Sequence, residues 1–201
     1  MKNKKSQIMN VKNLLIVPIF AAAFLSFSPI GKKIIVIDAG HGGNDMGASY
    51  EGVSEKQIVL AIASKIKQAN KTQDDYEIIL TRDSDTYSTL ANRTALINKL
   101  NPEMVISLHI NRSPALESAL KGHEIFTQNT DASKSLAAKI SKKFGECSIE
   151  EKNLHILRES KSPAVLVELG FINNKEDRDY LTSETGQKEV AQKFIEIINE
   201  K

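Results

Sequence analysis

Two histidines and one glutamate stand at the ends of apolar stretches of the sequence, and side chains of these types can bind a metal. His41 lies within the glycine-rich segment that follows Ile34–Ile37. His109 follows Met104–Leu108, and Glu168 ends Pro163–Glu168. Two imidazoles and one carboxylate with an open fourth position form the ligand set of hydrolytic zinc sites. Glu55 offers a second carboxylate, and such a site needs one that is not a ligand in order to take a proton from water.

The residues alone leave two interpretations open. The candidate ligands are scattered along the chain, unlike the compact HExxH motif, so their spacing does not single out a metal site. Glu55 follows Ser54 and precedes Gln57 in a capping-box pattern, where an acid at the first helical position also complements the helix dipole. A metal site and a set of hydrogen-bonded core histidines therefore remain alternatives at this point.

The apolar pattern predicts a sheet with helices on both faces, which would bring these residues together. Unbroken apolar runs predict buried strands, and apolar residues at a spacing of three to four predict helices. The predicted strands are Ile34–Ile37, Glu77–Thr81, Met104–Leu108, His123–Thr127, Leu154–Leu157 and Pro163–Glu168. The predicted helices begin at Ser54 and span Thr89–Leu100, Ala132–Phe144 and Gly186–Asn199, with Asn173–Glu184 partly helical. Asn44–Val53 is expected to be irregular, and Cys147–Lys152 is expected to be a turn.

The N-terminal residues have the composition of a targeting segment. Residues 1–13 contain four lysines and no acid, and the apolar run Leu14–Phe27 is short for a membrane span, so residues 1–30 are predicted to be a signal peptide or an N-terminal anchor. Without those lysines the chain has 23 basic and 25 acidic residues, a net charge of −2. This balance argues against a nucleic-acid partner and limits any membrane contact to the N-terminal segment. The single cysteine, Cys147, can form no internal disulfide.

Six short blocks of sequence resemble one enzyme family. They are DAGHGG at 38–43, SEK at 54–56, TRD at 81–83, RTALIN at 93–98, SLHIN at 107–111 and VELGFINN at 167–174. In order and spacing they are similar to the zinc-dependent N-acetylmuramoyl-L-alanine amidases of bacterial cell walls. The resemblance covers residues 33–200, nearly all of the predicted exported part.

This resemblance implies a fold and a chemistry. Residues 31–201 would be the zinc amidase catalytic domain, a three-layer α/β/α fold around a mixed, mostly parallel sheet of about six strands. Zn²⁺ would be held by His41, Glu55 and His109, with Glu168 as the catalytic carboxylate. The bond cut would be the amide between the lactyl group of N-acetylmuramic acid and L-alanine of the stem peptide. The competing hypothesis is a catalytically silent domain of the same fold that binds cell wall or recruits partners. A different metallo-amidase or peptidase would share the same site residues.

The resemblance also implies a setting for the protein. We expect a monomer that is exported to the periplasm or cell wall, acts on peptidoglycan and works with cell-wall remodelling proteins. Some relatives carry a long helical insertion after the SLHIN block that plugs the active site. Here only Asn111–Lys121 follows His109 before the next predicted strand, which is too short for such a helix.

The remaining polar residues of interest are expected to have smaller roles. Asn111 is a candidate substrate-binding residue, because it lies just beyond His109. Arg82 and Asp83 are expected to brace the turn after the second strand. His123 and His155 are expected to be surface or structural residues.

Overall fold

The computed structural model describes residues 32–70, 75–145 and 147–200. In chain order the strands are β1 (Lys33–Ala39), β2 (Ser49–Tyr50), β3 (Val53–Ser54), β4 (Tyr76–Leu80), β5 (Met104–Asn111), β6 (Glu124–Thr127), β7 (Ser148–Glu151) and β8 (Ala164–Phe171). The helices are α1 (Glu55–Ala69), α2 (Leu90–Leu100), α3 (Asp131–Phe144), α4 (His155–Glu159), α5 (Lys175–Thr182) and α6 (Glu184–Asn199). The segment predicted to be a signal peptide or anchor lies outside the described residues. None of the helices described is both long enough and apolar enough to cross a membrane.

Six of the strands form one sheet in the order β4-β1-β5-β8-β6-β7, and β2 pairs with β3 in a separate hairpin. All neighbours in the sheet run parallel except β6 and β8, which are antiparallel. The prediction of a mixed, mostly parallel sheet of about six strands is therefore confirmed. Parallel strands buried on both faces need near-continuous apolar runs, and β1, β5 and β8 have them.

Alternate residues of the strands enter two separate cores, one on each face of the sheet. Ile35 and Ile37 of β1 pack in the larger core with apolar residues of α1, α3 and α6. Val36 of β1 packs in the smaller core with Ile97 of α2 and with two residues of α4. This alternation is the two-residue period of a strand, and it produces the predicted three-layer α/β/α architecture.

Three local predictions were wrong. The segment predicted as the strand Leu154–Leu157 overlaps the short helix α4, because three apolar residues among four cannot distinguish a strand from one helical turn. Cys147–Lys152 contains the edge strand β7 instead of a turn, and all four residues of β7 are exposed, so no apolar pattern marks it. Asn44–Val53 ends in the β2–β3 hairpin and is not entirely irregular.

The strands that carry His109 and Glu168 are longer than the sequence indicated. β5 and β8 continue to Asn111 and Phe171, so these two side chains lie within paired strands and not beyond them. His109 and Glu168 are direct register partners. The helix α1 begins after Ser54 as predicted, but the Ser54 hydroxyl donates to the Gln57 side chain and does not cap a backbone N–H.

Candidate metal centre

The glycine-rich segment after β1 lets two imidazole rings approach each other closely. His41 has a left-handed backbone with φ of 57°, which turns the chain sharply behind β1. A Cβ atom on Gly40 would lie 2.5 Å from the His109 ring, and one on Gly47 would lie 2.5 Å from the Glu55 carboxylate. Only glycine fits at these two positions, so the segment is a close-packed support for the site.

His41, Glu55 and His109 converge on one point. Glu55 Oε1 lies 3.1 Å from His41 Nε2 and 2.8 Å from His109 Nδ1. One potential ligand atom from each of the three residues lies within 4.8 Å of the other two, as a metal site requires. The structure therefore brings Glu55 to the two imidazoles as third member, and this trio could hold a metal ion.

Hydrogen bonds from the surrounding chain fix these side chains in place. Glu55 accepts from the Ala48 backbone N–H through Oε2, at 2.7 Å, and from the Ile110 N–H through Oε1, at 3.0 Å. His41 Nδ1 lies 2.9 Å from Asp45 Oδ2, which leaves Nε2 facing Glu55. A carboxylate on the outer nitrogen of a histidine is the usual support of a metal ligand. Asp45 was missed in the sequence because it lies in the segment expected to be irregular.

The charges of the trio favour a cation at its centre. Burial would raise the pKa of Glu55, but hydrogen bonds and charge interactions with His109 and His41 outweigh burial and lower the pKa to about 2. Burial would lower the pKa of His41, but Glu55 and then Asp45 raise it to about 9, and Glu55 likewise raises the pKa of His109. The Glu55 carboxylate thus favours positive charge on both imidazole neighbours, and a divalent cation could supply that charge instead.

Glu168 stands beside this trio in a different environment. Its Oε2 atom is buried and has no hydrogen-bond partner among the described residues. Burial raises the pKa of Glu168 to about 7; the charges of Glu55 and Glu124 act in the same direction, while those of His109 and His41 oppose them. An unpaired carboxyl oxygen that changes protonation near neutral pH is suited to proton transfer with a ligand.

Glu124 is a further acid at this site that the sequence analysis did not single out. It opens β6 and pairs in register with Glu168, because β6 runs antiparallel to β8 and begins at the edge where β8 ends. Asn111 donates to Glu124 Oε2 at 2.6 Å and accepts from the Arg112 N–H at 2.7 Å. The Asn111 side chain is therefore held within the site, and its contact with substrate stays a prediction.

Two buried arginines hold the backbone around His41. Arg82 donates to the carbonyl groups of Ala39, Gly40 and Lys56, at 2.9, 2.7 and 2.9 Å. Arg93 donates to the carbonyl of His41 at 2.5 Å and to that of Ala39 at 2.6 Å. Arg82 was expected to brace the turn after the second predicted strand, where it donates to the Ser84 carbonyl at 3.1 Å. Its other bonds hold the loop after β1, and Arg93 holds that loop as well.

Arg93 also links the loop to β5. It pairs with Asp38 Oδ1 at 2.7 Å, and Asp38 Oδ2 accepts from Ser107 Oγ at 2.7 Å. Burial would raise the pKa of Asp38, but Arg93 and the hydroxyls of Ser107 and Thr81 lower it, so the carboxyl stays charged. A continuous buried network therefore connects His41 to the strand that carries His109.

The two other histidines differ from each other. His123 Nδ1 bonds to the Leu169 carbonyl at 2.9 Å and its ring packs on Phe144, so its expected structural role is confirmed. His155 lines the same cleft of about 370 Å³ as His41 and His109, together with Arg93 and Leu166. The expectation that His155 is a surface or structural residue is therefore incomplete, because α4 places it in the wall of the cleft that contains two of the candidate ligands.

Comparison with known proteins agrees with this geometry. A family model described as N-acetylmuramoyl-L-alanine amidase matches residues 35–200. The endolysin of Bacillus phage SPP1 is 35% identical over 181 residues, which cover 84% of this chain and 65% of the endolysin, so the chain spans slightly less than two thirds of that relative.

Solved structures extend the similarity to three dimensions. An N-acetylmuramoyl-L-alanine amidase from Clostridium difficile 630 superposes with a TM-score of 0.79 and 30% identity, covering 84% of this chain and 95% of the other. The CwlD amidase from Clostridioides difficile, solved in complex with the GerS lipoprotein, has a TM-score of 0.77 and 28% identity, with coverage of 83% and 96%.

Proposed function

Since the chain belongs to the N-acetylmuramoyl-L-alanine amidase family, we propose that it hydrolyses the amide bond between the lactyl group of N-acetylmuramic acid and L-alanine of the stem peptide in peptidoglycan. The observation that carries this proposal is one arrangement of four side chains. His41, Glu55 and His109 converge on a single point, and Glu168 lies in register with His109. One Glu168 oxygen has no hydrogen-bond partner within residues 32–70, 75–145 and 147–200. A ligand set with a separate carboxylate beside it is what metal-assisted amide hydrolysis requires.

We assign Zn²⁺ as the metal, held by His41, Glu55 and His109. Two imidazole nitrogens and one carboxylate oxygen match the donor types of catalytic zinc sites, which keep one position open for water or substrate. The outer-sphere contact of Asp45 with His41 and the backbone bonds to Glu55 fit the same assignment. Zinc bound there would supply Lewis acidity that polarises the scissile carbonyl and activates a water molecule.

Glu168 moves the proton in this mechanism. Its carboxylate takes a proton from the attacking water as the C–O bond forms, and then gives that proton to the leaving amine as the C–N bond breaks. Water and the amide are thus converted to a lactyl carboxylate and a free L-alanine amine. The pKa of about 7 suits both directions of transfer near neutral pH. Asn111 would orient the substrate or the neighbouring acids from its position beside Glu124.

The cellular setting belongs to the same proposal. A peptidoglycan substrate places the reaction outside the cytoplasm, in the periplasm or cell wall, and the predicted signal peptide or anchor at 1–30 would take the chain there. We expect a monomer that meets cell-wall remodelling proteins. The GerS complex of the related CwlD amidase gives a precedent for a partner protein in this family.

The test is to identify the bond that is cut. Purified peptidoglycan is digested with the zinc-loaded chain, and the products are analysed by mass spectrometry. We expect stem peptides with a free N-terminal L-alanine and glycan strands with a free lactyl carboxylate. Cleavage of another bond would point to a different metallo-amidase or peptidase. Peptidoglycan binding without any product, from a chain that retains zinc, would favour the catalytically silent domain.

A further inference from the structure

Tyr87 and Leu90 belong to the cleft of the candidate metal centre, and the proposed reaction gives them no role. They line the cleft that also contains His41 and His109. In residues 32–70, 75–145 and 147–200, six large apolar or aromatic side chains are exposed, and Tyr87 and Leu90 are two of them, at 56% and 57%. A ligand that enters this cleft from solvent can therefore reach both residues, and exposed apolar surface beside a site is typical of a binding surface.

The backbone that carries Tyr87 is fixed to the loop that carries His41. A Cβ atom on Gly43, in that loop, would lie 2.8 Å from the Tyr87 backbone nitrogen, so the two backbones are in contact. Arg93, which binds the His41 carbonyl, also donates to the Ser88 carbonyl at 3.1 Å. These contacts set the position of Tyr87 relative to the candidate metal centre and leave its side chain open to a ligand.

The two sides of the candidate metal centre differ in chemistry. The strand of His109, β5, has β1 on one side and β8 followed by β6 on the other. Tyr87 packs on the loop after β1 and offers an aromatic ring, whereas Glu124 of β6 offers a carboxylate that is hydrogen-bonded to Asn111. The amide of the proposed reaction also joins two unlike groups, a sugar through its lactyl side and a peptide through its amine side. A substrate with this amide at the metal centre therefore extends one of these groups toward each side.

The side of Tyr87 suits a sugar ring better than it suits a peptide. A pyranose ring has C–H groups on its faces and oxygen atoms around its edge. Its faces can pack on an aromatic ring and on a leucine side chain, while its hydroxyl groups need polar partners. Asp45 lines the same cleft and has a side chain that is 45% exposed, so its carboxylate can accept from such hydroxyls. Glu124, on the other side, suits the N–H groups of a peptide instead.

We propose that Tyr87, together with Leu90, is the glycan-binding surface of the cleft, on which the pyranose ring of N-acetylmuramic acid packs. This assignment rests on the proposed function, which supplies a substrate with a sugar on one side of the cleaved amide. The contact with the sugar is made before the reaction as well as during it, so Tyr87 should act on KM and not on kcat.

The experiment measures glycan binding separately from hydrolysis. Peptide-free strands of N-acetylglucosamine and N-acetylmuramic acid, which lack the amide that the proposed reaction cleaves, are titrated by calorimetry into zinc-loaded full-length chains. The chains are wild type, Tyr87→Ala, Tyr87→Phe and the control Ile149→Ala, which removes an exposed apolar side chain from β7. We expect the dissociation constant to rise about tenfold in Tyr87→Ala and to stay within about twofold of wild type in Tyr87→Phe, which keeps the ring, and in the control. Zinc should remain bound at one per chain.

Two further measurements examine the same surface with the other parts of the substrate. In hydrolysis of a soluble disaccharide-peptide, kcat/KM of Tyr87→Ala should fall about tenfold, mainly through KM, and that of Tyr87→Phe should be close to wild type. The free stem peptide, titrated in the same way as the glycan, should behave identically with wild type and Tyr87→Ala.

Three results would overturn the assignment. Equal glycan binding by wild type and Tyr87→Ala, including no measurable binding by either, would show that the ring is not a glycan surface. A loss confined to the stem peptide would mean that Tyr87 contacts the peptide. Loss of zinc in Tyr87→Ala would show that the side chain supports the loop of His41 instead. A wild-type chain that binds glycan through Tyr87 but cleaves no muropeptide would refute the proposed function and retain the glycan surface, so the two failures are distinguishable.

Discussion

Glu55 and Glu168 interact electrostatically with the same two imidazoles, yet their environments move their pKa values in opposite directions. Glu55 accepts hydrogen bonds from two backbone N–H groups and has a pKa of about 2. One oxygen of Glu168 has no hydrogen-bond partner in the described part of the chain, and the pKa of Glu168 is about 7. A permanently charged carboxylate is suited to hold a cation, and one that titrates near neutral pH is suited to exchange protons. The different environments support the different roles that we propose for them.

The substitution Glu168→Gln tests this division of roles. Glutamine keeps the shape of the side chain but cannot accept a proton from water, so we expect turnover to fall by about two to four orders of magnitude. Zinc should remain bound at one per chain, and the free energy of unfolding should be unchanged or higher, since a partly buried carboxyl is removed. Metal analysis, kinetics and thermal unfolding measure the three quantities. Glu150→Gln, at an exposed position of β7, is the matched control.

Two outcomes of that experiment would contradict the assignment. If Glu168→Gln loses its zinc, then Glu168 is a ligand. If it keeps both zinc and a near-normal rate, the proton is transferred by another group, and Glu124 would be the first to examine because it is the register neighbour of Glu168.

At the scale of single residues, the sequence predicted which residue types form the site better than it predicted which of them lie together. His41 and His109 could be selected because each stands behind a buried strand. The choice between Glu55 and Glu168 as third member of the trio could not be made from spacing, because it depends on how the first turn of α1 meets Ile110 of β5. The family resemblance supplied that choice.

At the scale of elements, buried arginine side chains near β1 link the helices and strands of the fold to the loop that carries His41. Arg93 comes from α2, binds the carbonyl of His41 and reaches β5 through Asp38 and Ser107. The left-handed backbone of His41 is therefore held by a side chain 52 residues away in sequence. The geometry of the candidate metal centre depends on α2 as well as on the loop that carries His41.

The substitution Arg93→Lys should weaken zinc binding while leaving a folded chain. A lysine amine is a single point donor and cannot replace the fork that binds Asp38 and two carbonyls together. We expect the zinc dissociation constant, measured by competition with a chelator, to rise about 10- to 100-fold, as when other residues that hydrogen-bond to a metal ligand are changed. Phe194→Leu, in the core on the opposite face of the sheet, is a control that alters stability without touching the loop. An equal loss of zinc affinity in both variants would mean that Arg93 contributes only to the general stability of the fold.

The wrong predictions of β7 and α4 from the sequence share a physical cause. β7 is exposed at every position and α4 is only five residues long, so neither has the periodic apolar pattern on which prediction depends. β1, β5, β8 and the long helices have that pattern and were predicted correctly apart from their ends. Because α4 was taken for a strand, the position of His155 in the cleft could not be predicted.

At the scale of the whole molecule, the connection between β5 and β6 is short and is held in place by hydrogen bonds. Asn173, which follows β8, bonds to the backbone of Ser113 and Ala115, and its own carbonyl accepts from the Ser118 N–H at 2.8 Å. This segment is the place where the insertion of some relatives would stand. In this chain the β5–β6 connection is hydrogen-bonded to Asn173, beyond β8, and these bonds prevent it from forming a helix.

We therefore expect the isolated chain to be active without an activator. Release of dye from labelled peptidoglycan by the zinc-loaded chain alone measures this, with the Glu168→Gln variant as the inactive control. A chain that is folded and zinc-loaded, yet inert until a second protein is added, would contradict the expectation.

The candidate ligands His41, Glu55 and His109 lie on a loop, a helix and a strand that meet only in the folded chain. An unfolded chain therefore cannot bind zinc with the same geometry, and the ion becomes thermodynamically linked to global folding. At a free zinc concentration 100 times the dissociation constant, the native state should gain about 2.7 kcal/mol. For a chain of this length that is a rise in melting temperature of roughly 5–10 °C, measured by calorimetry with zinc and with a chelator. The His109→Ala variant should show little of this rise, and an equal rise in that variant would mean that zinc binds elsewhere. Zinc supply in the compartment where the protein acts would then control its lifetime against proteases as well as its catalysis.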